Sequence, residues 1–495
     1  MTAGEGRIAR RTALTVGALV LLRLVVAAVT PLAFDEAYYW TWSRSLAGGY
    51  YDHPPMVAVL IRLGTSIFGD TEFGVRVAAV LLAVPMSWAV YRTTQILFGD
   101  ARMAATAVIM LNATLMVAVG TIIVTPDAPL LLAAALVLYA LARLHQTGRG
   151  TWWLAVGVAV GFGLLSKYTA FFFGAEILLW LLLVKRERRW LLSPWPYLGG
   201  VVALALFAPV IVWNAEHHWV SFIKQFGRAR ADGFTLRYLL EIIPAQIAFA
   251  TPSVFILGAL GLAALLRKNA AAPAARALIN VSVWTLVAYF AWHSLHQRVE
   301  ANWLGPVYPA FAVAAAYAVW GTRWQPRAQR LVDLSQQWAL PLGVVFFIAL
   351  VVQANTGVLT AFRSDPSVRV LGVGWPQLAR DLETIRAREG ATCILTQGYP
   401  VTAWLIFYAP KDACIAQRDE RYRWTHLPQP SEAQLKGPLL LFGGAGGGRD
   451  AAHVTVLPDV ARRRSGVVMQ TFGLAVLAMP AGDVLDRAPP PEVKR

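Results

Sequence analysis

Two acidic residues, Asp35 and Glu36, stand directly after the first long apolar run, in the stretch Phe34-Asp-Glu-Ala-Tyr-Tyr-Trp40. A carboxylate at a lipid boundary is costly unless it has a partner or a task. Asp35 suits either of two tasks: general base toward an acceptor hydroxyl, or stabiliser of positive charge developing on a sugar ring. The plain alternative is a solvated acidic pair in an aromatic belt. Aromatics at helical spacing predict a short helix here, lying along the membrane interface.

A second group, Tyr50-Tyr-Asp-His-Pro-Pro55, reads as a rigid turn, because Pro54 and Pro55 fix their own backbone angles and push His53 out of helical geometry. Its tyrosine hydroxyls and imidazole can donate hydrogen bonds to a phosphate oxygen. Asp127, in Thr125-Pro-Asp-Ala-Pro129, reads alone as an ordinary helix cap. With Asp35 and Glu36 it can instead supply a carboxylate for a hard divalent cation, so a metal held by Asp35 and Asp127 is an open alternative. No zinc spacing is present, since His217 and His218 are adjacent and His293 and His296 lie at i and i+3. Lys167, Arg228 and Arg298 have snorkelling as their simplest explanation. Three cations beside carboxylates and tyrosines nevertheless make an anion site, in which guanidinium grips phosphate at two points and lysine adds a point charge.

These groups need a frame, and the composition says which kind. The chain has 495 residues, 57% hydrophobic and 15% charged, which is far from a soluble globular balance. Apolar runs approaching the roughly 20 residues that cross a hydrocarbon core recur about eleven times. They fall at about 13–33, 75–91, 103–123, 128–142, 152–166, 169–184, 197–213, 239–266, 277–293, 305–320 and 338–355, with boundaries uncertain by a few residues. The first, preceded by Arg7, Arg10 and Arg11, superficially resembles a signal peptide but reads as a retained helix. The fold class expected is a polytopic α-helical membrane protein with a small C-terminal extracytoplasmic α/β domain.

Basic residues fill every second gap: Arg92 and Arg102, Arg143 and Arg149, Lys185 to Arg189, Arg267 to Arg276, and Arg323 to Arg330. The formal charge of +16 is thus the mark of cytoplasmic loops and not of a nucleic-acid partner. With an odd number of spans, the amino terminus lies in the cytoplasm and the carboxyl terminus outside. The alternate gaps hold nearly all the chemistry. Residues 34–74 form the first external loop, and later gaps carry Asp127, Lys167, His218, Arg228, Arg298, Glu300 and Asn302. An anion bound by so much membrane-embedded framework is expected to carry a lipid tail.

Beyond residue 355 the texture changes, giving a division into 1–355 (transmembrane) and 356–495 (soluble). An amphipathic stretch from Trp375 to Arg388 and short apolar runs at 393–395, 438–442 and 474–479 read as α/β structure in water. Both cysteines, Cys393 and Cys414, lie here; a disulfide and two buried thiols are equally compatible with the sequence.

The ordered set of motifs resembles the protein O-mannosyltransferase superfamily, and within it the bacterial aminoarabinose-transferase-like enzymes of the GT-C class. The resemblance is carried by Asp35-Glu36-Ala-Tyr-Tyr, Tyr51-Asp-His-Pro-Pro55, Thr125-Pro-Asp127, Ser166-Lys-Tyr168, Asn214-Ala-Glu-His-His-Trp219 with Ser221, Phe222 and Arg228, and Glu300-Ala-Asn-Trp-Leu-Gly-Pro-Val-Tyr-Pro309. It covers roughly residues 30–310.

The resemblance implies an inverting, single-displacement transfer from an undecaprenyl-phosphate sugar to a lipid, glycan or protein acceptor. The reaction would occur on the periplasmic face of a bacterial inner membrane. Asp35 would be the catalytic carboxylate, with Glu36 and Asp127 beside it. Tyr38, Tyr50, His53, Lys167, His218 and Arg228 would surround the donor phosphate, and Arg298, Glu300, Asn302, Trp303 and Tyr308 would shape the acceptor pocket. His53 stands where many relatives carry lysine, replacing a permanent charge by one that titrates near neutrality. The competing reading is a transporter or flippase for a lipid-linked anion, but such proteins usually place charges at the midplane and show repeated halves, neither visible here.

Overall fold

The computed structural model describes residues 3–227, 233–358, 366–444, 454–478 and 484–490. Among them, seven helices are long and apolar enough to cross a membrane: Ala3–Val29, Glu72–Phe98, Asp127–Thr147, Pro194–Glu216, Pro273–His293, Ala301–Trp320 and Pro326–Thr356. The pair Arg237–Ala250 and Pro252–Leu265 makes an eighth if counted as one span, though it bends by 104°. The single run expected at 239–266 is therefore broken. Pro252 lacks an amide donor and disfavours helix at the residue before it, and Thr251 adopts φ 66°.

The expectation of about eleven spans is not met by length and composition. At three of the expected positions stand the shorter apolar helices Ala101–Ala113, Trp152–Ser166 and Tyr168–Leu183. Helices of 13 to 16 residues rise only about 20–24 Å, less than the ~30 Å hydrocarbon core. Helix starts follow local chemistry. Thr71 accepts the Gly74 amide at 3.0 Å, and Asp100 accepts those of Arg102 and Met103 at 2.7 and 3.3 Å. Small residues let neighbouring helices touch, as where Gly157 meets the Gly199 backbone.

The first external loop contains two helices, Phe34–Arg44 and Met56–Phe68. Eight residues of the first, Glu36 to Ser43, are buried, so it does not lie along the interface as expected. What buries it is the C-terminal domain: Tyr38 and Trp42 share one apolar cluster with Trp375, Trp404, Phe442 and Phe472. The junction is also hydrogen-bonded, with Leu32 O accepting Trp404 Nε1 at 3.0 Å and the Gly372 amide at 2.7 Å.

The C-terminal domain is built on a five-stranded sheet. Its strands are β1 (Cys393–Thr396), β2 (Ile415–Gln417), β3 (Leu439–Phe442), β4 (Val454–Arg464) and β5 (Val467–Leu477), in the order β2-β1-β3-β5-β4. β1 is parallel to β2 and β3, and the remaining pairs are antiparallel. The amphipathic stretch forms the Trp375–Arg388 helix, with Trp375, Leu378, Ala379 and Leu382 buried. Cys393 and Cys414 are joined by a disulfide, which decides between the two readings left open by the sequence.

Candidate active site

Asp35 and Glu36 are separated by the geometry of their helix. Glu36 points inward, fully buried, where Arg76 Nε and Nη2 donate to its two oxygens at 2.7 and 2.5 Å. The amides of Ala33 and Val124 donate to the same carboxylate at 2.8 and 3.0 Å. Arg76 also meets the carbonyls of Ala27, Thr30 and Pro31. This is a satisfied buried ion pair that ties the first span, the loop and the segment before Asp127 together. Glu36, expected beside Asp35 as a catalytic acid, does not reach the cavity.

Asp35 does. It lines a cavity of about 560 Å³ together with Tyr38, Asp52, His53, Asp127, Lys167, Glu300, Asn302 and Trp303. Unlike the other aspartates there, it has no ion-pair partner among the described residues. Its hydrogen bond comes from the C-terminal domain, where Tyr399 Oη donates to Oδ1 at 3.3 Å. Burial pushes the Asp35 carboxyl up to about 7, with nearby Asp52 and Glu36 adding to the rise and Tyr399 and Arg423 opposing it.

Asp52 is held in the opposite way. Burial alone would raise it, but Lys224 and Arg423 outweigh burial and lower it. Lys224 Nζ contacts Oδ1, and Arg423 Nη1 lies 3.0 and 3.2 Å from the two oxygens. Tyr38 Oη donates to Oδ2 at 3.0 Å, and Gln225 Nε2 to the Asp52 carbonyl at 2.7 Å. Across the cavity, Asp127 receives Lys167 Nζ and Asn302 Nδ2, each at 2.7 Å. The helix-cap reading of Asp127 is therefore overturned: Pro126 holds the cap position, and the Asp127 amide itself donates to the Thr125 hydroxyl at 3.3 Å.

His53 lines the cavity with its Nδ1 buried and without a hydrogen-bond partner among the described residues. Burial, reinforced by Lys167, lowers it to about 3. It is neutral at physiological pH, which corrects the expectation of a group titrating near neutrality.

The other expected residues divide by position. Tyr50 stacks on Trp42 at 4.4 Å and its hydroxyl bonds the carbonyls of Trp42 and Ser45, away from this cavity. His218 is in a turn at φ 54° and does not line it. Arg298 is 68% exposed, 3.7 Å from Glu300 and 3.9 Å from Glu241, so it stands outside the pocket. Tyr308 is buried against Gln246, 3.0 Å away, and borders a neighbouring apolar cavity of about 410 Å³. Arg228 lies outside the described residues. Among the described residues no group of three or more His, Cys, Asp or Glu gathers as a metal site. The two candidate ligands share the cavity, but Asp127 is already neutralised by Lys167.

Tyr399 and Arg423, which contact the cavity carboxylates Asp35 and Asp52, were not singled out by the sequence alone. Nothing in an isolated α/β segment announces that one of its side chains meets Asp35 in a cavity and another pairs with Asp52, each more than 300 positions upstream. Asp52 stood within the Tyr51-Asp-His-Pro-Pro55 motif without a role of its own, and Lys224 carried no motif.

Comparison with known proteins fits this geometry. Residues 52–213 match the family described as dolichyl-phosphate-mannose-protein mannosyltransferase. Lipid A galacturonosyltransferase RgtD of Rhizobium johnstonii is 24% identical over 393 residues, 78% of this chain and 79% of that protein. An undecaprenyl phosphate-alpha-4-amino-4-deoxy-L-arabinose arabinosyl transferase of Sodalis glossinidius is 31% identical over 26% of this chain and 24% of its own. The crystal structure of ArnT from Cupriavidus metallidurans bound to undecaprenyl phosphate superposes with a TM-score of 0.65, at 19% identity, covering 96% of this chain and 99% of that one. Its apo state gives 0.66 at 17% identity, covering 97% and 100%. The chain has the fold of ArnT, sheet domain included.

Proposed function

We infer that this chain, a GT-C glycosyltransferase of the aminoarabinose-transferase-like branch, moves a sugar from an undecaprenyl-phosphate donor to an acceptor at the mouth of the Asp35 cavity. One observation carries the assignment of roles. Asp35 alone among the cavity aspartates lacks an ion pair among the described residues, and its carboxyl is poised near neutrality, as a general base requires.

In the proposed reaction the acceptor oxygen attacks the anomeric carbon and Asp35 takes its proton. The bond from that carbon to the phosphate oxygen breaks, and its electron pair departs with undecaprenyl phosphate. A single attack from the side opposite the leaving group inverts the anomeric centre. Lys167 and neutral His53 supply fixed donors toward the phosphate, with Tyr38, whose hydroxyl is given to Asp52, lining the same cavity, and preorganised donors of this kind provide most of the acceleration. The neighbouring apolar cavity, which shares Phe290 with the first, suits the prenyl chain. If the acceptor is itself a phosphate, Asp35 acts through charge and position.

We further assign the cavity to the periplasmic side of a bacterial inner membrane, with the amino terminus cytoplasmic. The basic residues of the alternate gaps support this assignment, and exposed Leu14, Leu21 and Val25 suit contact with lipid. On this reading residues 1–355 are the membrane-embedded catalytic unit and 356–495 the external one. The acceptor is a lipid or glycan of the cell envelope, lipid A being the first to try. The decisive assay incubates purified protein with undecaprenyl-phosphate-linked galacturonic acid, 4-amino-4-deoxy-arabinose and mannose, with lipid A present, and follows release of free undecaprenyl phosphate. Transport without bond cleavage for every donor would return the protein to the flippase reading.

A further inference from the structure

Two groups that contact cavity carboxylates come from the far end of the chain. Tyr399 opens the Tyr399–Tyr408 helix, and Arg423 sits in the short Arg421–Trp424 turn. The Tyr399 ring is fixed from three sides: Phe34 at 5.8 Å, Tyr38 at 5.2 Å, and the Arg423 guanidinium over its face at 4.8 Å. Its hydroxyl, so fixed, donates to Asp35. Asp52, by contrast, receives two cations and Tyr38, so its orientation does not depend on a single donor.

We propose that Tyr399 is the positioning residue of Asp35, so that the C-terminal domain completes the active site and does not merely cover it. The inference rests on the reading of Asp35 as the base. Around that carboxylate, Asp52 across the cavity and Glu36 beside it in sequence carry like charge, while Arg423 and the Tyr399 hydroxyl favour its ionised form. Asp127 with Lys167, and neutral His53, line the rest of the cavity. Without the Tyr399 hydroxyl, the carboxylate keeps its like-charged neighbours, loses its hydrogen bond and is free to turn about its own bonds.

Tyr399→Phe keeps the ring and its three contacts and deletes only the donor. The test uses full-length protein in lipid nanodiscs with ¹³C-carboxyl-labelled aspartate, the Asp35 signal being assigned by its loss in Asp35→Asn. In Tyr399→Phe the Asp35 titration should move to higher pH. With undecaprenyl-phosphate galacturonic acid and lipid A, kcat should fall roughly fivefold to tenfold, the loss of one hydrogen bond, with donor KM unchanged. The acidic limb of the pH profile should move in the same direction as the titration. An unmoved Asp35 titration in folded Tyr399→Phe overturns the inference, whichever donor the enzyme uses. Absence of turnover by the wild-type protein counts instead against the transferase reading, and the titration still decides whether Tyr399 positions Asp35.

Discussion

Asp35 and Glu36 are adjacent in sequence and opposite in environment: one carboxyl faces the cavity beneath Tyr399, the other is sunk against Arg76 with every oxygen satisfied. A helix turns successive side chains by about 100°, so neighbours on it serve different sides. On the proposed function, the Phe34–Arg44 helix thereby joins catalysis to architecture in two consecutive residues. Arg76, fully buried itself, makes the architectural half dependent on a single acid.

Substitution should separate the two roles. Glu36→Gln leaves a buried guanidinium without its counter-charge and should cost roughly 3–5 kcal/mol, seen as lost expression or a sharply lower melting temperature in detergent. Asp35→Asn should fold normally and lose at least about a thousandfold in turnover. Near-normal transfer by a folded Asp35→Asn would falsify the base assignment.

The raised Asp35 carboxyl gives two pH signatures. Activity needs the ionised base, so kcat/KM should climb as pH rises through about 7. Stability should go the other way. The folded protein keeps a proton on Asp35 between its ordinary value of 3.8 and about 7, where the unfolded chain has lost it, so this group's contribution to stability falls as pH rises across that window. Asp35→Asn should therefore melt above wild type at pH 8, and the gap should close toward pH 4.

Arg423 should not be replaceable by lysine. Its guanidinium reaches both Asp52 oxygens and lies over Tyr51 at 4.9 Å and Tyr399 at 4.8 Å, contacts an ammonium cannot reproduce together. Arg423→Lys should lower kcat/KM about tenfold or more while circular dichroism stays unchanged. Equal activity would show that only the charge matters.

Much of this arrangement was legible in the sequence because lipid imposes simple rules. Long apolar runs and basic gaps marked the spans, and polar residues at their ends marked the site, bringing Asp35, Tyr38, His53, Asp127, Lys167, Glu300, Asn302 and Trp303 to one cavity. Tyr50 failed because an aromatic beside a motif serves packing as readily as chemistry, and its hydroxyl is consumed by local carbonyls. The neutrality of His53 depends on burial and on Lys167, more than 100 positions away, which no local spacing encodes. The count of about eleven spans is not confirmed, because composition does not show where a short helix stops. Tyr399 and Arg423 were illegible for a topological reason, since it is the shared apolar core with Trp42 and Tyr38, together with hydrogen bonds across the junction, that brings the C-terminal domain over the first loop.

The disulfide ties this remote contribution to the redox state of the compartment. Cys393 and Cys414 are 21 positions apart and close a loop that contains the whole Tyr399–Tyr408 helix. Closing a loop of that length restricts the unfolded chain by about 3 kcal/mol in the chain-entropy view. Cys414→Ser, or reduction with dithiothreitol, should therefore loosen the segment that presents Tyr399 before it disturbs the spans. Hydrogen exchange should quicken first in residues 393–417, and kcat should fall with it while the melting of the membrane-embedded helices changes little. If exchange across 393–417 is unchanged after complete reduction, the bond does not hold Tyr399 in place, and its contacts with Phe34, Tyr38 and Arg423 do so without it.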